Sequence, residues 1–185
     1  MNKLLLVLLA LVISNNSYSQ KSCDTIYWKE NLKLQWSHFK AKPDTTRPMA
    51  ASSSPGIAYS AKLRGDTLRV TVNCNFLTCS AWTKSGSPNL LKHEQTHFDI
   101  AEYTRRLFVQ KLTTAKINSK TAFQELTDVY TEFIKFQTEL DKEYDEKTNY
   151  SRDAEMQDQW TRDIQTKIAK LKAFSKAQCI IPTQP

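Results

Sequence analysis

No apolar run in this 185-residue chain is longer than residues 4–13, and ten residues are too few to cross a bilayer. There is no internal repeat and no low-complexity tract. No basic run is interleaved with aromatics, so the net charge of +7 carries no nucleic-acid signature. Lysines and arginines are instead scattered among acids from Lys92 to Lys176, the pattern of a solvated, mildly basic surface. No Cys-x-x-Cys pair exists, which argues against a thiolate zinc site. Strand-like and helix-like segments do not alternate, which argues against a parallel α/β sheet. Histidine is the scarcest of the chemically active residues, with three in the whole chain.

The apolar run has the features of an export leader. Lys3 precedes it, residues 15–19 are polar and small, and Ser17 and Ser19 stand where small residues precede a cut. Residues 1–19 are therefore read as a signal peptide, with Gln20 as the new N-terminus. Its removal takes away Lys3 and no acid, so the net charge falls from +7 to +6. The expected destination is the periplasm or the medium, with no transmembrane segment in the mature chain. Cys23 is a candidate lipid-anchor cysteine, but Lys21 and Ser22 before it lack the small and apolar character of such a signal.

Four cysteines in an exported chain suggest two disulfides and allow three pairings. Cys74 and Cys79 flank a short Asn-Phe-Leu-Thr connection and could bridge locally. Cys23 and Cys179 would then tie the two ends of the domain together.

Two of the three histidines fall in Leu90-Leu91-Lys92-His93-Glu94-Gln95-Thr96-His97-Phe98-Asp99-Ile100-Ala101-Glu102. This is His-Glu-x-x-His on a stretch without Pro or Gly from Asn89 to Ser119. Ser87 and Pro88 supply an N-cap and a suitable first helical residue. On a helix, His93 and His97 project from one face a turn apart, so both ring nitrogens can reach one zinc ion. Glu94 is rotated one step away. It stands where a general base must, beside the metal but not bound to it. The third histidine, His38, sits between aromatics in Trp36-Ser37-His38-Phe39 and is read as structural.

Residues 20–86 read as β and loop. Residues 57–63 and 67–73 alternate in polarity about the turn Arg64-Gly65-Asp66, the pattern of a β-hairpin with Leu68, Val70 and Val72 on one face. Residues 50–56 are small and Ser-rich, a connection or edge segment. From Pro88 the chain looks helical. One helix is expected to Thr113, a second after a break near residues 116–119 with Ser119 as N-cap, and a third over residues 152–174. The second carries Phe123, Leu126, Tyr130, Phe133, Gln137, Leu140 and Tyr144 at helical spacing. The tail after residue 179 is not helical. The expected class is α+β: a small N-terminal antiparallel sheet followed by three long helices, in a single domain over residues 20–185, with 20–86 mainly β or loop and 87–175 mainly helical.

A catalytic zinc needs a third protein ligand and one open position. Asp99 and Glu102 are rotated off the His93–His97 face and read as solvent or capping partners. If the chain reverses near Lys116, the stretch opposite the histidines is about residues 135–139. Gln137 is the polar member of the apolar stripe there and could hold the base or a histidine ring. Glu139 is a nearby carboxylate. The acids Glu139, Asp141, Glu143, Asp145 and Glu146 otherwise look like a solvated face.

The central motif, with Arg105 after it, resembles the signature of an uncharacterised family of exported bacterial proteins. That family is grouped with the zincin metallopeptidases and taken for zinc-dependent proteases. The resemblance extends to residues 34–40, residues 50–52, Ser80-Ala81-Trp82, residues 144–149 and residues 157–160. It implies a zincin-like fold, a zinc cofactor and a peptide or protein substrate. The family's late block reads Tyr-Asp-x-x-Thr-x-His, and its histidine is replaced here by Tyr150. The third ligand is thus open between Tyr150, Asp145 and Glu139. Tyr150 could instead hydrogen-bond to a bound carbonyl oxygen. The expected function is an exported zinc metallohydrolase, a peptidase with Glu94 as base. The alternative is an inactive zincin-like domain that binds a partner in the cell envelope.

Overall fold

The computed structural model describes residues 23–185, so the expected leader, residues 1–19, and Gln20 lie outside the described residues. The strand β4 (Thr67–Leu77) is central to the sheet. It pairs along its length with β3 (Gly56–Arg64), in a register running from Gly56 opposite Asn75 to Arg64 opposite Thr67. Gly65 in the two-residue turn has φ +59°, a left-handed conformation that suits a tight hairpin of this twist. On the inner face Leu68, Val70, Val72, Cys74 and Phe76 are all buried, as the alternation requires.

The other edge of β4 is shared by two strands from opposite ends of the described residues. β1 (Thr25–Tyr27) pairs with its last residues, Ile26 opposite Phe76. β7 (Gln178–Gln184) pairs with its first residues, Val70 opposite Cys179. β6 (Ile117–Asn118) then runs parallel to β7. The class is mixed, with three long helices and a small sheet, compatible with α+β. The sheet, however, is not purely N-terminal: the tail supplies a strand, with Cys179, Ile181 and Thr183 facing inward. A seven-residue period-2 pattern containing Pro182 gave little signal by itself. A separate pair, β2 (Ala51–Ser52) with β5 (Trp82–Thr83), holds the Ser-rich segment in place.

Helix α1 (Pro88–Thr114) lies across the inner face of the sheet. Ser87 caps it as expected, its Oγ accepting from the Leu90 amide at 3.1 Å. Phe98 and Ala101 pack on Cys74 and Phe76. Phe108, Val109 and Leu112 pack on Val70 and Val72. Each such fully buried aromatic or aliphatic side chain contributes about 1.5–3 kcal/mol. The far side of α1 presents Ile100 to Tyr144 of α2 (Ala122–Lys147) and to Ile164 and Ile168 of α3 (Ala154–Lys170). The helix is therefore enclosed between the sheet and the other two helices. The second helix starts after Thr121 rather than Ser119. The third ends at Lys170 and gives way to a 3-10 turn, Lys172–Phe174.

Enclosure changes the reading of Asp99 and Glu102, which face the interior and not solvent. Asp99 accepts from the Trp28 indole at 2.7 Å, from Gln95 at 3.2 Å and from Gln165 at 2.6 Å. Burial pushes its carboxyl up against the opposing effect of these donors. Glu102 takes a two-pronged contact from Arg105 (2.6 and 2.8 Å) and a third bond from Arg106 (2.7 Å). The two guanidiniums then donate to the carbonyls of Ile168, Phe174 and Ser175, clamping the end of α3 and the turn that leads into β7.

The cysteine pairing differs from expectation. Cys23 is bonded to Cys79, while Cys74 and Cys179 are free and buried. Strand alternation explains this. Cys74 points inward, with its Sγ 3.8 Å from the Phe98 carbonyl, so it cannot turn to Cys79. The Thr78 amide donates to the Asp24 carbonyl and the Asp24 amide to Thr78 Oγ1, which brings Cys23 beside Cys79. A Cys23 sulfur held in a disulfide is not free for a lipid thioether. Among the described residues no helix is long and apolar enough to cross a membrane. Non-reducing peptide mapping is expected to recover one Cys23–Cys79 linked pair. Two thiols should become reactive only on denaturation. A Cys74–Cys79 peptide would contradict this arrangement.

Candidate metal centre

The turn-to-turn spacing of α1 places the His93 and His97 rings on one face, with centroids 4.8 Å apart and Nε2 atoms 3.2 Å apart. Across from them α2 runs antiparallel. Asp145 Oδ1 lies 2.9 Å from His93 Nε2 and 3.1 Å from His97 Nε2. One atom from each of these three side chains thus converges on a single point. In a tetrahedral site with bonds near 2.0–2.1 Å, donor atoms stand about 3.3–3.4 Å from one another. The observed triangle is slightly tighter, so a small cation bonded to all three fits with a minor outward shift. Two imidazoles and one carboxylate, with further positions open to a cleft, make a chemically suitable donor set.

The surroundings orient these donors. His97 Nδ1 is 2.7 Å from Asp141 Oδ1, the carboxylate–histidine arrangement that leaves Nε2 with its lone pair toward a metal. Gln137 Nε2 donates to Asp141 Oδ2 (3.2 Å) and to the Pro55 carbonyl (2.9 Å). Gln137 therefore acts on a histidine ring at one remove, through Asp141. His93 stacks on Tyr144, with ring centroids 4.6 Å apart and planes 21° apart. Its Nδ1 is buried and lacks a partner among the described residues. Glu94 is next to the triad and outside it. Its carboxylate accepts from the Ser53 hydroxyl of the Ser-rich segment.

The charge balance of the metal-free site follows from this packing. Burial by itself would push the His97 imidazole down. The hydrogen bonds to Asp141 and Asp145 and the nearby carboxylate charges outweigh it, so the ring is raised from 6.5 to about 10. Burial would raise Asp145, but its bonds to His93 and His97 hold it well below the usual carboxylate range.

A cleft of about 530 Å³ opens over these groups. The Ser-rich segment and β2 line one wall, α2 another, and Tyr150 with Arg152 one end. Of the three candidates for third ligand, Asp145 joins the histidines. Glu139 points to solvent, paired with Lys135 at 4.0 Å. Tyr150 lines the cleft, half exposed, and makes no hydrogen bond to either histidine. His38 is remote from the site, with its Nδ1 accepting from the Gln35 amide.

In the sequence Asp141 reads as part of a solvated acidic face, and Asp145 as one of three candidate ligands beside Tyr150 and Glu139; the structure brings both aspartates to the histidines. The reason is geometric. His93–Asp145 and His97–Asp141 are both centred on Ser119, not on Lys116, because the extended residues of β6 add reach between the helices without adding a helical turn. One signal was available: Gln137, Asp141 and Asp145 stand at successive four-residue steps, a polar row matching His93 and His97. No family model matches the chain, and the searches of curated proteins and of solved structures likewise find no match.

Two outcomes are expected. Asp141→Asn should weaken metal binding about 10–100-fold with the ligand set intact, read by competition with a chromogenic chelator. The metal-free chain should also have a defined pH profile. The raised His97 contributes stability that is full below 6.5 and is lost as pH rises through about 10. The depressed Asp145 contributes stability present above 3.8 and lost as pH falls below it. In chelator, the melting temperature should therefore decline from pH 6.5 towards 10, and His97→Asn should flatten that decline. Metal affinity should rise over the same range as His97 loses its proton.

Proposed function

We propose that this protein is an exported zinc-dependent hydrolase of zincin-like fold, acting on peptide bonds. The observation that supports this best is the division of labour among four neighbouring side chains. His93, His97 and Asp145 converge on one point, while Glu94, beside them in the same cleft, is left out of the convergence. A His-His-carboxylate set suits iron as well as zinc. The adjacent carboxylate outside the donor set favours hydrolysis, because a hydrolase needs a base there.

Zinc, when bound by His93, His97 and Asp145, supplies Lewis acidity that brings water towards a pKa of about 7 and polarises a carbonyl. The protein's own groups do the rest. Glu94 takes the proton of the attacking water and delivers it to the leaving nitrogen. Ser53 fixes the carboxylate by donating to one oxygen, Oε2, and the other oxygen remains for this transfer. Asp141 holds the His97 tautomer, and Gln137 holds Asp141 against the cleft wall at Pro55. Export is supported by the leader pattern and by the Cys23–Cys79 disulfide.

The test is elemental analysis of the dialysed protein beside a His93→Ala/His97→Ala double variant, followed by a peptide-library cleavage assay. About one zinc per chain, absent from the double variant, is expected. Glu94→Gln should retain the metal and lose about 10²–10⁴-fold in cleavage rate. Metal retained without any cleavage, or cleavage indifferent to Glu94→Gln, would overturn the hydrolase reading in favour of a binding domain.

A further inference from the structure

Between α2 and α3 the chain makes an unusual turn. Asn149, Tyr150 and Ser151 have φ values of +46°, +53° and +71°, three consecutive non-glycine residues in the left-handed region. Each such residue is disfavoured where the side chain has no local compensation, because its Cβ crowds the following carbonyl oxygen. Strain of this kind persists where surrounding structure imposes it, and it clusters at ligand-binding positions.

The surrounding structure is plain. Gln157, fully buried, donates to the Oδ1 and the carbonyl of Asn89, both at 3.0 Å. Asn89 Nδ2 in turn donates to the Ser151 carbonyl at 2.6 Å. Thr148, fully buried, bonds back to the Tyr144 carbonyl at 2.8 Å and accepts the Asp153 amide at its own carbonyl. The turn is thus pinned on both sides, to the first turn of α1 and to the end of α2. These are the two helices that carry the metal donors.

The turn contributes Tyr150, Ser151 and Arg152 to the lining of the cleft. Arg152 is the one Lys or Arg among the cleft-lining residues. Its side chain is exposed and forms no ion pair or side-chain hydrogen bond with the described residues. The acids of the cleft, Glu94, Asp141 and Asp145, are by contrast all engaged by Ser53, His93, His97 or Gln137. A strained, doubly anchored turn that holds an unengaged guanidinium at one end of a catalytic cleft has the chemistry of a substrate anchor. Guanidinium pairs with carboxylate in a two-pronged geometry.

We propose that Arg152 selects substrates that bear a carboxylate within its reach along the cleft. Two sources have this chemistry: a free C-terminus and an Asp or Glu side chain. The proposal deepens the hydrolase reading and rests on it for the word substrate, but binding is measurable without turnover.

The experiment uses the zinc-loaded Glu94→Gln protein, which retains any bound peptide, and four hexapeptide pools. The pools have a free or an amidated C-terminus, each with or without Asp and Glu. Carboxylate-bearing pools are expected to bind about tenfold or more tightly than the amidated neutral pool, in a salt-sensitive manner. Which pool leads identifies the source. Adding Arg152→Gln should remove the preference, and Arg152→Glu should transfer it to Lys-containing peptides. Both variants should melt as the parent does, since the side chain bonds to none of the described residues. Equal binding of all pools, no binding of any, or a preference that survives Arg152→Gln would overturn the proposal. Carboxylate-dependent binding without cleavage by the wild-type protein would leave Arg152 as an anchor and remove the hydrolase reading alone.

Discussion

The enclosure of α1 is the constraint on which the rest of the structure depends. A helix covered on both sides would ordinarily be apolar all round, yet nine of its sixteen buried residues are polar or charged. Each such group costs several kcal/mol if left unpaired. The fold can be understood as the supply of partners to this one helix. Trp28 and Gln165 serve Asp99, and the Leu34 amide serves Gln95. Thr161 serves Thr96. Glu102 serves two arginines, which in turn serve four carbonyls of the chain after residue 167. The N-terminal segment, both later helices and the C-terminal turn are all tied to α1 by polar contacts as well as by packing.

The candidate metal centre is the same constraint met differently. His93 is buried and His97 partly buried, with their Nε2 atoms facing each other, an arrangement with no apolar equivalent. Two carboxylates from α2 meet them, and the carboxylates are themselves held, Asp141 by Gln137. Everything that fixes α2 against α1 therefore also fixes the site: Tyr144 against the His93 ring, Leu126 and Phe133 against Phe108 and Leu112. Sites built on packed helices hold their donors more closely than sites on loops. The loops contribute what needs less exact placement, Ser53 beside Glu94 and Tyr150 with Arg152 in the lining of the cleft.

The closing of the sheet by β7 has a similar logic. Burying Cys179 and Ile181 beside Val70 completes the cover over the first half of β4, which β1 does not reach. The Cys23–Cys79 bridge then secures the second half, where β1 is short and its residues mostly exposed. The first and last strands of the described residues are thus held at different ends of one strand.

Local rules in the sequence were enough for the elements and for half of the site. The hairpin follows from alternation about Gly65, the start of α1 from Ser87 and Pro88, and the shared face of His93 and His97 from 3.6 residues per turn. These depend on neighbours a few residues away, so a linear pattern contains them. The tertiary structure decided what depends on how far the chain travels between elements. The two extended residues of β6 set which turn of α2 faces the histidines, and so chose Asp141 and Asp145 over Glu139. The direction of Cys74 into the core, a consequence of strand pairing, chose Cys79 for Cys23. The burial of Asp99 and Glu102 followed from α1 being covered on two sides, which its own periodicity could not reveal because partners on both sides leave no solvent face to mark.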